Sequence, residues 1–180
     1  MPKWKRTSEL SPLERLWAGW RSRYVSEVAG KEDGCFLCSI AALPDADVVS
    51  DRTLVLERTA CTLPVMNLYP YGSGHLLVAP RRHESQLDGL SDDETIAMAR
   101  AERRAVIAIK AAYGSDGLNV GFNLGRAGGA GVPDHLHAHV LPRWSGDTNF
   151  MTAIAETRVL PEALETGWAK LHAAWPEVTA

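Results

Sequence analysis

Three histidines at every second position of one short stretch constrain this chain more than any other feature. The stretch runs from Asp134 to Trp144 and reads D-H-L-H-A-H-V-L-P-R-W. Side chains alternate between the two faces of a β-strand, so a strand here would carry three imidazoles on one face, those of His135, His137 and His139. A buried imidazole costs free energy unless it is hydrogen-bonded, paired with a charge or bound to a ligand. The pattern therefore predicts a strand with a functional face.

The length and charge of the chain limit its architecture and its partners. With 180 residues, 46% of them hydrophobic, the chain can bury one core, and we expect a single domain over residues 1–180. The formal net charge of -3 provides no basic field, so neither nucleic acid nor a membrane is expected as a partner. No stretch reads as a secretory signal or a membrane span, which predicts a cytoplasmic protein.

Periodicity and turn formers predict an α+β fold with a mainly antiparallel sheet. Capping signals and apolar spacing indicate helices over residues 11–25, 91–113 and 160–175. Short β-branched or apolar runs between turn formers indicate strands over 53–57, 61–66, 75–80, 116–124 and 134–144. The segment 45–51 is expected to be a loop or a short strand.

Three interpretations of the spaced histidines are open at this point. They are core residues satisfied by hydrogen bonds, metal ligands in an H-x-H pair, or a catalytic centre in which one imidazole attacks phosphorus. The preceding segment, from Asn123 to Pro133, is rich in glycines whose backbone N–H groups can approach and hold phosphate oxygens. A bare metal site has no need of such a loop, so the combination favours phosphorus chemistry.

Two of the three cysteines, Cys35 and Cys38, stand in the motif C-F-L-C. In a reducing compartment this spacing indicates metal or redox chemistry, because three cysteines form no even disulfide framework. We interpret Cys61 as a buried strand residue. The histidines outside any spaced set, His75 and His172, are interpreted as structural.

Two motifs together resemble the histidine triad (HIT) superfamily of nucleotide hydrolases and transferases. The stretch H-L-H-A-H-V-L fits its H-φ-H-φ-H-φ-φ signature, and N-L-Y-P-Y-G-S-G-H-L-L-V-A-P-R-R-H is similar to its upstream strand, turn and strand. The resemblance covers residues 35–151 and implies a HIT-like fold with flanking helices. The adjoining stretches P-R-W-S-G-D-T-N-F-M and L-E-R-L-W-A-G-W-R-S-R-Y-V are similar to those of bacterial diadenosine tetraphosphate phosphorylases. Cleavage of a dinucleoside polyphosphate or similar nucleotide conjugate is thus implied, with phosphate or water as acceptor.

The resemblance also implies catalytic roles for four residues. His137 would be the nucleophile that forms a nucleotidyl–histidine intermediate, and His139 would contact the bridging or leaving oxygen. His135 would support this network. Asn123 matches an asparagine that hydrogen-bonds phosphate oxygens near the nucleophile.

The nucleotide-binding residues implied in the same way are Asn67, Asn123, Gly129, Gly131, His139 and Arg143. Asn67 falls where the family has an acidic or amide residue on the ribose hydroxyls. Many members carry glutamine and serine or threonine at Ala130-Gly131, so in this chain backbone N–H groups would have to contact the leaving phosphate. Arg143 could pair with a distal phosphate or form a surface salt bridge with Asp147, and the sequence favours neither.

A structural zinc ion is the one cofactor that the resemblance implies, and no organic cofactor is expected. Some members hold zinc with C-x-x-C, a histidine after the apolar strand and the first triad histidine. In this chain the four ligands would be Cys35, Cys38, His83 and His135, a closed Cys₂His₂ set of the structural kind. Zinc at His135 would withdraw that ring from proton transfer, so His135 has two competing roles.

The resemblance further implies a homodimer in which the two sheets join edge to edge, and an exposed edge strand gives a physical reason for such pairing. A function of another class also stays open. The chain could be a non-catalytic, zinc-stabilised module that binds a nucleotide without turning it over.

Overall fold

The computed structural model describes residues 34–147 and 162–177. The predicted N-terminal helix over 11–25 lies outside these ranges. Within them the elements, in chain order, are α1 (Phe36–Ala41), α2 (Asp45–Val48), β1 (Thr62–Met66), β2 (Leu76–Pro80), a 3₁₀ turn (Leu87–Gly89), α3 (Asp92–Tyr113), β3 (Gly117–Phe122), β4 (Ala138–Arg143) and α4 (Leu164–Ala173).

The four strands form one antiparallel sheet in the order β1-β2-β4-β3. Strand β4 pairs along its whole length with β3 and over three residues with β2, where Leu77 lies opposite His139. Both β1 and β2 are buried at every position, as their apolar sequences predict. This arrangement confirms the predicted α+β fold with an antiparallel sheet, and it leaves β3 at an edge.

Helix α3 supplies the layer that covers the sheet. The Ser91 hydroxyl accepts the Glu94 N–H at 3.2 Å and a Glu94 carboxylate oxygen accepts the Ser91 N–H at 2.9 Å, so the predicted capping box is present. Gly114 ends the helix in the left-handed conformation, with φ of 55°. Small side chains on its buried face, at Ala101, Ala105 and Ala108, let the helix approach the strands closely.

The C-terminal helix α4 packs on the same body. Leu171 is fully buried, and the Trp168 indole N–H donates to the Val55 carbonyl at 2.9 Å. The helix spans 164–173, a shorter range than the predicted 160–175. None of the helices in the described ranges is long and apolar enough to cross a membrane.

The predicted strand over 53–57 is wrong, because a turn occupies its first half. The Thr53 hydroxyl donates to the Val48 carbonyl at 2.5 Å, and Leu54 has a φ of 60°, a left-handed conformation that a strand does not tolerate. In place of a strand paired with β1, the described residues show one isolated antiparallel bridge between Val55 and Val65. The segment expected as a loop or short strand over 45–51 contains the short helix α2, which begins after Pro44.

The histidine strand is shorter than its predicted range of 134–144, because β4 begins only at Ala138. His135 and His137 precede it in a buried segment whose Leu136 N–H donates to the Glu84 carbonyl at 2.6 Å. Strict alternation of side chains therefore applies from residue 138 onward. Of the three histidines on the predicted strand face, only His139 therefore lies within β4.

Candidate active site and metal-binding cluster

The imidazole of His137 is buried and held in one tautomer by the backbone. Its Nδ1 lies 2.8 Å from the His135 carbonyl oxygen. A carbonyl can only accept, so Nδ1 carries the proton and Nε2 keeps a lone pair. Burial lowers the pKa of His137, against the opposing effect of the carbonyl, and so favours the neutral ring. The edge of this ring meets His139, with 5.0 Å between ring centroids.

The imidazole of His135 lies between a backbone carbonyl and two cysteine sulfurs. Its Nε2 lies 2.9 Å from the Pro80 carbonyl oxygen, so Nε2 carries the proton and Nδ1 keeps the lone pair. That Nδ1 lies 3.1 Å from Cys35 Sγ and 3.6 Å from Cys38 Sγ. Burial is the main reason that the pKa of His135 is lowered. The ring is thus neutral and presents a lone pair to two sulfur atoms.

The four residues predicted to bind zinc are brought together by the fold, and we call Cys35, Cys38, His83 and His135 the Cys–His cluster. One ligand atom from each lies within 4.8 Å of all the others. Ligand atoms around a tetrahedral zinc ion are roughly 3.5 Å apart, given zinc–ligand bonds of about 2.0 to 2.3 Å. The Cys38 Sγ to His83 Nδ1 distance of 3.2 Å and the two His135 distances fall near that value.

The chemistry of the cluster also suits a cation. Burial, and then the neighbouring Cys35 sulfur, raise the pKa of Cys38 to about 11, so a thiolate at this position needs a positive charge beside it. His135 donates its second ring nitrogen to a backbone carbonyl, which is how metal-bound histidines are usually oriented. The cluster therefore fits zinc in donor set, spacing and orientation.

A second histidine pair lies on the other side of His137, and we call His75 and His139 the imidazole pair. His75 Nε2 lies 2.9 Å from His139 Nδ1. The Tyr71 backbone N–H donates to His75 Nδ1 at 3.0 Å, so the His75 proton must reside on Nε2. His75 then donates to His139, and the His139 proton resides on Nε2. The pair therefore presents an N–H donor next to His137.

His75 lies at the histidine site, a position that the sequence interpretation did not predict. Its sequence context, outside any spaced set, indicates a structural residue, and the fold places it in a hydrogen bond with a predicted catalytic histidine. The pairing of Leu77 with His139 brings His75 diagonally across from that ring on the same face. The sequence signal for this contact is the position of His75 at the start of an apolar strand. Predicting its partner from that position also requires the register between β2 and β4.

Two predicted asparagines lie beside the imidazole pair. Asn123 Nδ2 is 3.3 Å from His139 Nε2. Since Nε2 carries the proton, the amide is rotated by 180° so that its oxygen accepts. The Asn67 side-chain nitrogen is 3.4 Å from His75 Nδ1, and its oxygen accepts the Tyr69 N–H at 3.0 Å. The fold therefore places both asparagines at the histidine site.

The glycine-rich loop uses some of its N–H groups internally. The Gly129 N–H donates to the Arg126 carbonyl at 3.0 Å, and the Ala130 N–H donates to the Gly125 carbonyl at 3.2 Å. Gly125 and Gly129 have φ values of 66° and 87°, which a residue with a Cβ rarely adopts. A phosphate contact from the Gly129 N–H would compete with this turn, whereas none of these bonds involves the N–H of Gly131.

Arg143 forms the salt bridge that the sequence left open. Its guanidinium contacts both carboxylate oxygens of Asp147, at 2.5 and 2.8 Å, and it also donates to the Asn119 side-chain oxygen at 2.8 Å. The Asp147 carboxylate raises the pKa of Arg143 further. All three nitrogens of the guanidinium are therefore engaged by protein groups.

Comparison with known proteins identifies the family. A family model described as HIT domain matches residues 48–146. A Mycobacterium tuberculosis protein named AP-4-A phosphorylase is 39% identical over 166 residues, which cover 91% of this chain and 85% of that protein. The chain belongs to the HIT domain family. This confirms the resemblance carried by the H-L-H-A-H-V-L stretch.

More distant HIT relatives agree with the fold. A Schizosaccharomyces pombe protein named bis(5'-nucleosyl)-tetraphosphatase (asymmetrical) is 31% identical over 93 residues, covering 52% of this chain and 50% of that protein. A zinc-bound histidine triad family protein from Mycobacterium smegmatis has a similar solved structure, with 26% identity and a TM-score of 0.62. The match covers 78% of this chain and 92% of that one, which confirms a HIT-like fold.

Proposed function

We propose that this chain transfers a nucleotidyl group through a covalent intermediate on His137. The observation that carries the proposal is the 2.8 Å contact of His137 Nδ1 with the His135 carbonyl, which leaves Nε2 as a lone-pair nucleophile. The names of two relatives, AP-4-A phosphorylase and bis(5'-nucleosyl)-tetraphosphatase, support a nucleotide transferase or hydrolase.

The reaction consists of two displacements at one phosphorus atom. First, His137 Nε2 forms a bond to the α-phosphorus, and the P–O bond to the departing polyphosphate breaks. Second, the acceptor attacks that phosphorus, the P–N bond breaks, and the acceptor proton is lost to solvent. The N–H donor of His139 lies next to the nucleophile and suits a hydrogen bond to the leaving oxygen.

Diadenosine tetraphosphate is the substrate that we propose, with inorganic phosphate as acceptor. The support is the 39% identity to a protein named AP-4-A phosphorylase over 91% of this chain. Water is the alternative acceptor, and it would make the enzyme a hydrolase.

The nucleotide would lie against the imidazole pair. Asn67 would contact the ribose, and Asn123 and His139 the phosphates, since both asparagines adjoin this pair. Gly131 is a better candidate than Gly129 for a backbone contact to the leaving phosphate, because the Gly129 N–H closes a turn. For Arg143 we favour the structural ion pair over a phosphate contact.

We also propose that the Cys–His cluster holds a structural zinc ion through Cys35, Cys38, His83 and His135. The spacing of the donor atoms and the zinc-bound M. smegmatis neighbour support this. Such an ion would cross-link the start of α1, the loop after β2 and the segment before β4. His135 would then serve the metal site with its ring and the nucleophile with its carbonyl.

A homodimer would join two copies of β3, the edge strand. Pairing there would satisfy backbone groups that an edge strand exposes, and it would cover Val120, which is 47% exposed. A molecular mass from light scattering of twice the chain mass would support the dimer, and that of a monomer would exclude it. Cytoplasmic location and a single domain over 1–180 stay predictions.

The enzymatic proposal is tested by incubating wild type and His137→Ala with diadenosine tetraphosphate, with and without inorganic phosphate. We expect wild type to turn over to ADP and ATP only when phosphate is present, to release about one ATP per active site without it, and His137→Ala to form neither product. His172→Ala is the matched control, since this exposed histidine stacks on Trp168 and should leave turnover unchanged.

Other outcomes separate the alternatives. AMP formed equally with and without phosphate would identify a hydrolase. Tight AMP binding by wild type without turnover would favour the non-catalytic module. Equal turnover by wild type and His137→Ala would overturn the proposal.

A further inference from the structure

The turn between β1 and β2, residues 67–75, carries Asn67 at its start and His75 at its end. Both ends of this turn pack against the region where the end of α3 meets α4. Met66, just before the turn, lies so close to α4 that a Cβ added to Gly167 would be 3.0 Å from Met66 Cε. Gly74, near its end, lies so close to Tyr113 that an added Cβ would be 2.6 Å from Tyr113 Cε2. Neither glycine leaves room for a methyl group without movement.

Tyr113 connects these two contacts. It is the last residue of α3, and its hydroxyl donates to Glu162 Oε1 at 2.8 Å. Glu162 is in turn paired with Lys170 of α4, and the Lys170 ammonium lies 5.7 Å from the Tyr113 ring centroid. Burial, and then this bond to Glu162, raise the pKa of Tyr113, so its hydroxyl stays a donor.

The Tyr113 ring contacts Gly74, the residue before His75 of the imidazole pair. It packs on Gly74, whose φ of 72° and lack of a Cβ allow this approach. The next residue, His75, donates to His139 at 2.9 Å. On its other side the ring meets Trp144, which follows β4, with 6.2 Å between ring centroids. A shift of the ring would therefore displace the turn that aims His75.

We propose that Tyr113 is a positioning residue for the transfer reaction, whose ring holds residues 74 and 75 so that His75 stays hydrogen-bonded to His139. The proposal rests on the proposed function of His137 and His139. It also assigns a role to α4, because Glu162 and Lys170 fix the position of the Tyr113 ring. A residue that only filled the core would affect stability and leave the state of His139 unchanged.

The test compares Tyr113→Leu, Tyr113→Phe and Ile109→Val in the full chain, well below their unfolding temperatures. Ile109 is a matched control, because it is fully buried one turn earlier on the same helix. We expect Tyr113→Leu to lower kcat on the order of ten- to a hundredfold, because sub-ångström to 1 Å displacements of catalytic groups have such effects. KM for diadenosine tetraphosphate should change little. Tyr113→Phe keeps the ring on Gly74 and loses only the bond to Glu162, so its loss of kcat should be smaller than that of Tyr113→Leu.

A second readout is independent of turnover. In ¹⁵N spectra, the His139 Nδ1 resonance should move in Tyr113→Leu and stay in place in Ile109→Val. An unchanged His139 resonance, or equal losses of kcat in the leucine and valine variants, would overturn the positioning role. Absence of turnover in wild type would overturn the function of His137, and the His139 resonance would still decide the role of Tyr113.

Gly167→Ala tests the same contact if Tyr113→Leu does not fold. Its added methyl would lie 3.1 Å from the Tyr113 hydroxyl oxygen and 2.8 Å from Glu162 Oε1, so it displaces the same ring from the other side. We expect a smaller loss of kcat in the same direction. Wild-type kcat and an unmoved His139 resonance in this variant would overturn the proposal.

Discussion

His135 and His139 stand at equal distances from His137 in the sequence, yet the fold uses them differently. Both carry their proton on Nε2 and keep a lone pair on Nδ1. The His135 lone pair faces two cysteine sulfurs, and its proton is used by the Pro80 carbonyl. The His139 lone pair accepts from His75, and its proton faces Asn123 at the site. One ring is therefore arranged for a cation and the other for an oxygen atom.

The difference shows that the hydrogen-bond partner of each histidine, and not its spacing in the sequence, decides which ring nitrogen keeps a lone pair. Of the three spaced histidines, His137 alone donates from Nδ1, to the His135 carbonyl, and so it alone offers an Nε2 lone pair. Carbonyls and backbone N–H groups fix all three tautomers, since these groups cannot exchange donor for acceptor. Replacing the partners of His135 and those of His139 separately should thus give distinct losses, in stability for the first and in turnover for the second.

The largest effect is expected on the side of the imidazole pair. His139→Ala removes the N–H donor, and losses of about 10²- to 10⁴-fold in kcat are typical when a proton donor of this kind is removed. His75→Ala should cost less, because His75 acts only through His139. Single-turnover kinetics with diadenosine tetraphosphate measures both. A rate for His139→Ala within twofold of wild type would remove His139 from the reaction.

The second-largest effect is expected at the Cys–His cluster, where loss of a ligand should lower the free energy of unfolding. We expect elemental analysis to find about one zinc ion per chain in wild type and none in Cys38→Ala. Stabilisation by a metal at 100-fold its Kd is about 3 kcal/mol, and chemical denaturation should show a loss of that order. Cys61→Ala is the control, because Cys61 lies outside the cluster. Equal zinc content in both variants and wild type would contradict the assignment.

The smallest effect is expected at Arg143, which belongs to neither the Cys–His cluster nor the imidazole pair. An exposed ion pair contributes about 0 to 1 kcal/mol, so Arg143→Ala and Asp147→Ala should unfold at nearly the wild-type denaturant concentration. Both variants should also keep the wild-type KM for diadenosine tetraphosphate. A rise in KM for Arg143→Ala alone would restore the phosphate contact that the sequence left open.

The sequence predicted the features that depend on local pattern or on the family motifs. The capping box of α3, its end at Gly114 and the antiparallel sheet are confirmed, because each follows from short-range periodicity and turn chemistry. The four cluster residues also meet as the resemblance implied. Their roles as ligands, like the roles of the catalytic residues, stay predictions.

The sequence did not predict one local turn and two long-range contacts. The strand over 53–57 failed because the Thr53 hydroxyl stabilises a turn that outweighs β-propensity. The contact of His75 with His139 was not predicted, because the two residues are 64 positions apart and the register of two strands brings them together. The packing of Tyr113 on Gly74 has the same origin, since it joins the end of a helix to a turn far away in the chain.

The central claim is that His137 Nε2 becomes covalently bound to the nucleotide. Wild type and His137→Ala are mixed with diadenosine tetraphosphate without acceptor phosphate, quenched in alkali within one turnover, and digested for mass spectrometry. We predict one adenylyl group on the peptide that contains His137, its disappearance on addition of phosphate, and no adduct in His137→Ala. Turnover by wild type with no adduct, or with the adduct on another residue, would contradict the claim.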